Sequence, residues 1–176
     1  MSGEAPGPDK VLLLGMMGAG KTSVGKEISR LSGWPYRDND SLVAEIAGVD
    51  TASLLARDGV DVLRDTESAA LRRAVDGPGP LVAGVAGGVV ERADDVALLR
   101  GTDAFVVYLH APVDVLVERV GSGAGRPWLQ PDPGTALRSL FEGREPLYRE
   151  VADMVVHTDR GTATDHAEQV LAALRG

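Results

Sequence analysis

The stretch Leu12–Lys26, LLLGMMGAGKTSVGK, constrains the fold more than any other part of the chain. An apolar run, Val11 to Leu14, stops at Gly15, and Lys21 to Leu31 then carries Val24, Ile28 and Leu31 at helical spacing. Between them, Gly15-Met16-Met17-Gly18-Ala19-Gly20-Lys21-Thr22 fits G-x-x-x-x-G-K-[ST], the Walker A pattern, in full. Such a loop turns successive backbone N–H groups inward around phosphate oxygens, and the start of the helix adds the positive end of its dipole. Lys21 supplies a point charge to the outer phosphates and Thr22 a hydroxyl to Mg²⁺. Gly18, Ala19, Gly20 and Ser23 complete the expected nucleotide-binding set. The competing reading is a glycine-rich turn needed only for packing; the complete motif in a strand-to-helix setting favours phosphate. ATP is the expected nucleotide, because no guanine-reading N-K-x-D motif is present.

Strand-like and helix-like segments alternate beyond this loop. The piece GWPYRDND reads as a short strand ending in acids, followed by short helices over 41–47 and 51–57. Residues 60–75 form an amphipathic pattern that DGPGP ends. Residues 81–85 read as a strand running into AGG, 94–100 as a helix, and AFVVYL, 104–109, as the clearest buried strand. A helix over 112–120 opens with Pro112. The segment 121–134 is too rich in Gly and Pro for regular structure. A helix over 135–151 contains Pro146, which is expected to kink or interrupt it. A strand over 154–157 and a helix over 165–174 close the chain. This alternation predicts an α/β fold, a parallel sheet covered by helices on both faces. Residues 1–9 read as a flexible tail and 10–176 as a single domain.

With a net charge of −8, the chain is a poor match for broad binding to nucleic acid, which rests on Lys and Arg neutralising phosphates. There is no cysteine, hence no disulfide, thiolate zinc site or cysteine nucleophile. The N-terminal MSGEAPGPDK has no apolar signal core, and no run approaches the ~18 apolar residues of a membrane span. A cytoplasmic protein without membrane attachment, acting as a monomer, is the expectation.

Candidate partners for the phosphate loop are scattered. Asp38 and Asp40 in RDND are expected at the end of the second strand, where alternate residues point one way. There, at the C-terminal edge of a parallel sheet, Asp38 would serve the Mg²⁺ shell and Asp40 a substrate hydroxyl. The alternative is a solvated turn and helix cap. Arg126 sits in the Gly/Pro segment, suited to bring a cation onto a transferring phosphoryl group. Arg64 and Arg144 lie on separate helices, where an arginine is commonly just solvated surface. Gly87-Gly88 after the third strand suggests close backbone approach to a small ligand, or simply a tight turn.

Taken together, GMMGAGKTSVGK, DND, the arginine of LRDTE, AGG, GRPWL and REPLYREVA, in that order and at those intervals, resemble the shikimate kinase family over residues 10–160. The pair formed by the lid's R-P and the later R-x-P-L-Y is more specific than the Walker motif. The resemblance implies a P-loop kinase fold with a five-stranded parallel sheet, a mobile lid over 121–134 and a substrate-binding region over 40–75. It implies ATP-dependent phosphorylation of shikimate with Mg²⁺. Lys21 and Thr22 match the phosphate and magnesium positions, and Asp38 the aspartate near Mg²⁺. Asp40 matches the carboxylate that binds shikimate hydroxyls, with a possible role as base. Arg64 and Arg144 match the arginines that grip the shikimate carboxylate, Gly87 the middle of a triple-glycine substrate loop, and Arg126 the lid arginine. Arg119 and Arg160 lie near positions that flank adenine. The chain departs from the family pattern at Ala86, where Gly is usual; Val60, where an acid is usual; Leu63, where Phe is usual; and Trp128, where Leu is usual. Ala86 fits only if its dihedrals are ordinary. Those changes keep two alternatives open: a paralogue acting on another hydroxy acid such as gluconate, and a nucleotide-binding module with weakened catalysis.

Overall fold

The computed structural model describes residues 7–176. Most of the expected N-terminal tail, residues 1–6, lies outside the described residues. At its inner end the backbone is already engaged: the Asp9 carbonyl accepts from Leu81 N at 3.1 Å.

Among the described residues, five parallel strands form one sheet: β1 (Lys10–Leu14), β2 (Tyr36–Arg37), β3 (Leu81–Gly84), β4 (Phe105–His110) and β5 (Met154–His157). Their spatial order is β2-β3-β1-β4-β5. Val11 to Leu14 are fully buried, and so are Val106 to Leu109 in the middle of β4, as both faces of the central strands are covered. Among the described residues, seven α-helices connect and cover the strands: α1 (Lys21–Ser32), α2 (Asn39–Ala47), α3 (Thr51–Asp76), α4 (Ala93–Gly101), α5 (Val113–Val120), α6 (Pro133–Val151) and α7 (Ala163–Arg175). Val24 and Ile28 of α1 and Ala167, Val170 and Leu171 of α7 are buried, and the two helices pack together. Each such Val, Leu or Ile side chain contributes about 1.5–3 kcal/mol when fully buried. Strand order reverses around β1, which opens a crevice at its C-terminal end.

Three local expectations need correction or refinement. The helices expected over 51–57 and 60–75 meet at Gly59, whose φ of 87° and ψ of 177° break the helical path within α3. A left-handed φ there favours glycine. Pro146 does not interrupt α6, which runs continuously from Pro133 to Val151. The ring removes one backbone donor, but buried Arg144, Tyr148 and Val151 hold the helix on both sides of it. The segment after α5 is not wholly irregular: Pro127–Leu129 form a 3-10 turn anchored by fully buried Leu129. Because Asp132 caps α6, that segment ends at 132 rather than 134.

Candidate active site

The cleft beyond the C-terminal end of β1 has a volume of about 730 Å³. The loop between β1 and α1 forms its floor. The Lys21 ammonium folds back over this loop and donates to the carbonyls of Gly15 (2.6 Å) and Met16 (3.1 Å). Burial, followed by the nearby Arg144, lowers its pKa from 10.5 to about 8; Asp40 partly offsets this and Arg126 adds to it. A chain with a net charge of −8 has thus gathered Lys21, Arg126 and Arg144 at one place, beside Asp40. The loop is braced from just past β5: the Thr158 hydroxyl donates to Ala19 O at 2.7 Å. Arg119 spans the same join, donating to Gly18 O (3.1 Å) and Thr158 O (2.6 Å).

The two acids of RDND reach the cleft by a route other than the one expected. β2 ends at Arg37, so neither is a strand residue. Asp38 is the N-cap of α2 and accepts from Ser41 N at 2.7 Å, a contact typically worth ~1 kcal/mol. Asp40 lies in the first turn of α2 and accepts from the Thr51 hydroxyl at 3.0 Å. The helix begins two residues earlier than Ser41 because Asp38 caps it, which takes the alternation of a strand away from this pair. Both still line the cleft, together with Thr22. Among the described residues no group of three or more His, Asp or Glu gathers as a metal cage. Mg²⁺ needs only one or two protein oxygens beside waters and phosphate oxygens, so Thr22 and Asp38 fit it.

Across from the loop, Arg64 of α3 and Arg144 of α6 converge. A Cβ placed on Gly88 would lie 2.7 Å from Arg64 Nη1 and 3.2 Å from Arg144 Nη2. One on Gly87 would lie 3.0 Å from Tyr148 Oη and 3.3 Å from Arg144 Nη1. A side chain at Gly88 would displace the two guanidinium groups, and one at Gly87 would crowd Tyr148, the Gly15 carbonyl and Arg144. Ala86 has φ −62° and ψ 137°, an extended conformation open to any residue, so its methyl is accommodated. Arg64 donates to Glu67 (2.7 Å) and Arg144 to Glu91 (3.0 Å). Arg144 is 3% exposed, and its Nε is buried without a hydrogen-bond partner among the described residues. Tyr148 donates to Gly87 O at 2.7 Å and fixes this turn against α6; burial raises its pKa to about 12, which keeps the hydroxyl a donor.

The structure brings together the loop residues, Asp38, Asp40, Arg64, Gly87, Arg119, Arg126 and Arg144 around this cleft. Arg160 stays outside: its side chain is 95% exposed, and Gly161 and His166 line that wall. Glu67, Glu91, Tyr148, Thr158 and His166 went unrecognised in the sequence. Only Tyr148 carried a signal, as the last residue of R-x-P-L-Y; the others are separated from their partners by fold topology or lie on ordinary-looking helices.

A P-loop after the first strand, facing two converging arginines and an acid, defines a P-loop small-molecule kinase. Comparison with known proteins narrows the class. The family model described as shikimate kinase matches residues 17–175. A shikimate kinase from Marinomonas sp. (strain MWYL1) is 39% identical over 167 residues, covering 94% of this chain and 91% of its relative. One from Halorhodospira halophila (strain DSM 244 / SL1) is 38% identical over 170 residues, covering 96% and 95%. The solved structure of shikimate kinase from Acinetobacter baumannii in complex with shikimate superposes with a TM-score of 0.88, at 32% identity, over 97% of this chain and 94% of that one. The chain belongs to the shikimate kinase family.

Proposed function

We propose that the protein transfers the terminal phosphoryl group of ATP to the 3-hydroxyl of shikimate, giving shikimate 3-phosphate and ADP. The observation that carries this reading is the convergence of Arg64 and Arg144 on Gly88, opposite a Walker loop, with Asp40 lining the same cleft. Shikimate is a carboxylate with ring hydroxyls. Two guanidinium groups grip the carboxylate through charge-assisted bonds, and the grip aligns one hydroxyl with the terminal phosphate. Asp40 accepts from the ring hydroxyls and takes the proton of the reacting one. The oxygen of that hydroxyl then bonds to the terminal phosphorus as the bond to the bridging oxygen breaks and ADP leaves.

Gly18, Ala19, Gly20 and Ser23 wrap the phosphates, Lys21 neutralises the outer ones, and Arg126 brings positive charge to the transferring group from a lid that closes. Arg119 would lie beside the adenine of ATP, which Arg160 would reach only with its loop folded inward on binding. Thr22 and Asp38 would hold Mg²⁺. When bound, the ion neutralises charge on the transferring phosphoryl oxygens. All these groups come from one chain, which supports action as a monomer. Among the described residues, no helix is long and apolar enough to cross a membrane.

An acceptor panel tests the reading: ATP-coupled turnover with shikimate, quinate, gluconate and nucleoside monophosphates. The expected result is turnover with shikimate well above the other three. Gluconate turned over faster than shikimate, or nucleotide hydrolysis indifferent to every acceptor, overturns it.

A further inference from the structure

The chain holds three histidines and no cysteine. His166 lines the cleft; His110 and His157 do not. These two are 47 residues apart in sequence, yet they close the C-terminal ends of β4 and β5, where His110 pairs with His157 in register. Residues in register on neighbouring strands project to the same face of the sheet. Their Nδ1 atoms stand 3.2 Å apart, with the ring planes at 71°. In the neutral pair, one Nδ1–H donates to the lone pair of the other nitrogen. The spacing also suits a chelate. Two nitrogens each ~2.05 Å from a tetrahedral cation lie about 3.3 Å apart. The donating ring has only to carry its proton on Nε2 instead, and small rotations turn both lone pairs toward one ion. Phe141 of α6 packs beside His110, with ring centroids 6.2 Å apart, and limits how far that ring can swing. The surrounding charge tolerates a cation: Arg149, near His110, is paired with Glu145, and Asp159 adds a second carboxylate nearby.

We propose that His110 and His157 form a two-imidazole site for a late first-row divalent cation, Zn²⁺, Ni²⁺ or Cu²⁺, separate from the oxygen ligands of the cleft. Imidazole nitrogen suits these ions, whereas Mg²⁺ demands oxygen. Among the described residues, no third His, Asp or Glu joins the pair, so water completes the shell. The site adjoins the strap that supports the phosphate loop. Thr158, next after His157, donates its N–H to His110 O at 2.8 Å and its hydroxyl to Ala19 O at 2.7 Å. A cation on the two rings therefore ties β4 to β5 just where that strap begins.

The test is a calorimetric titration of Zn²⁺ into the full chain, free of nucleotide and in excess Mg²⁺. One equivalent is expected to bind, and Tm to rise by roughly 5–10 °C at a hundredfold excess over Kd. His110→Gln and His157→Gln each leave a single imidazole, so each should weaken binding by at least about a hundredfold. His157 is exposed, so its replacement tests the site without disturbing the core. In NMR spectra, Zn²⁺ should shift the imidazole signals of two histidines and spare the third, His166. Absence of Zn²⁺ binding overturns the proposal. So does binding that survives the His157→Gln change, is displaced by Mg²⁺, or shifts His166 alone; each of these places the ion elsewhere.

Discussion

The two ends of the cleft hold their cations differently. At the phosphate end, Lys21 rests on backbone carbonyls of its own loop, Gly15 and Met16, six residues of chain or fewer away. At the acceptor end, Arg64 and Arg144 rest on side-chain carboxylates, Glu67 and Glu91, and the Arg144 partner is 53 residues distant. A site made of contiguous backbone is written as a motif. One made of side chains from separate elements exists only after the sheet has formed. The first should fail when one residue changes, and the second should degrade in steps.

Lys21→Met should do the most damage. Removing the one ammonium among the loop carbonyls should cost on the order of 3–4 kcal/mol in the barrier, roughly a hundred- to thousandfold in kcat, while Tm changes little. Near-normal turnover in this variant would break the contrast at its stronger end.

Arg126→Ala comes next. Its charge arrives with the lid, so kcat should fall by roughly a hundredfold and KM for the acceptor much less. A rise in KM alone would make Arg126 a ground-state contact and move it to the acceptor group.

At the acceptor end, Arg64→Ala and Arg144→Ala should each weaken shikimate binding by about 1.5–3 kcal/mol. Because both act on one carboxylate, the double variant should lose less than the sum, read from a titration cycle. Strict additivity would mean that the two arginines serve different groups.

The smallest effect is pH dependence. The Lys21 pKa is lowered from 10.5 to about 8, so its charge is complete well below pH 8 and is lost above it. A bound polyphosphate favours the charged form and raises that pKa. ADP affinity should therefore be flat at lower pH and fall as pH rises past about 8, by at most roughly tenfold per unit for one proton. Lys21→Met should show no such decline. An equally steep fall in the variant would assign the titration to another group.

The same contrast explains what could be read in advance. The sheet strands over 11–14, 104–109 and 154–157 were legible because buried parallel strands are runs of apolar residues, and the observed bounds differ by no more than a residue at either end. The phosphate loop was legible because its chemistry is local. Asp38 and Asp40 were identified, but on the wrong element: a capping carboxylate starts a helix where strand alternation had been assumed. Pro146 misled because a propensity was weighed without the burial of Arg144 and Tyr148 on either side of it. Glu67 and Glu91 were silent, since an acid on a helix looks the same whether it meets water or an arginine. Three of the four departures from the family pattern, Val60, Leu63 and Trp128, looked unrelated along the chain and meet around one cavity in the fold.

The Arg64–Glu67 and Arg144–Glu91 pairs make anion capture an exchange. Each guanidinium already has a tethered carboxylate, and tethering gives that carboxylate an effective concentration in the millimolar range or above. A chloride or acetate ion, meeting one arginine at a time, must outbid a competitor that never diffuses away. A rigid ligand whose single carboxylate reaches both arginines, and whose hydroxyls find Asp40, gathers enough contacts to win the exchange. The built-in acids therefore act as a threshold, tuning the pocket to ignore the small anions that any cell contains in excess.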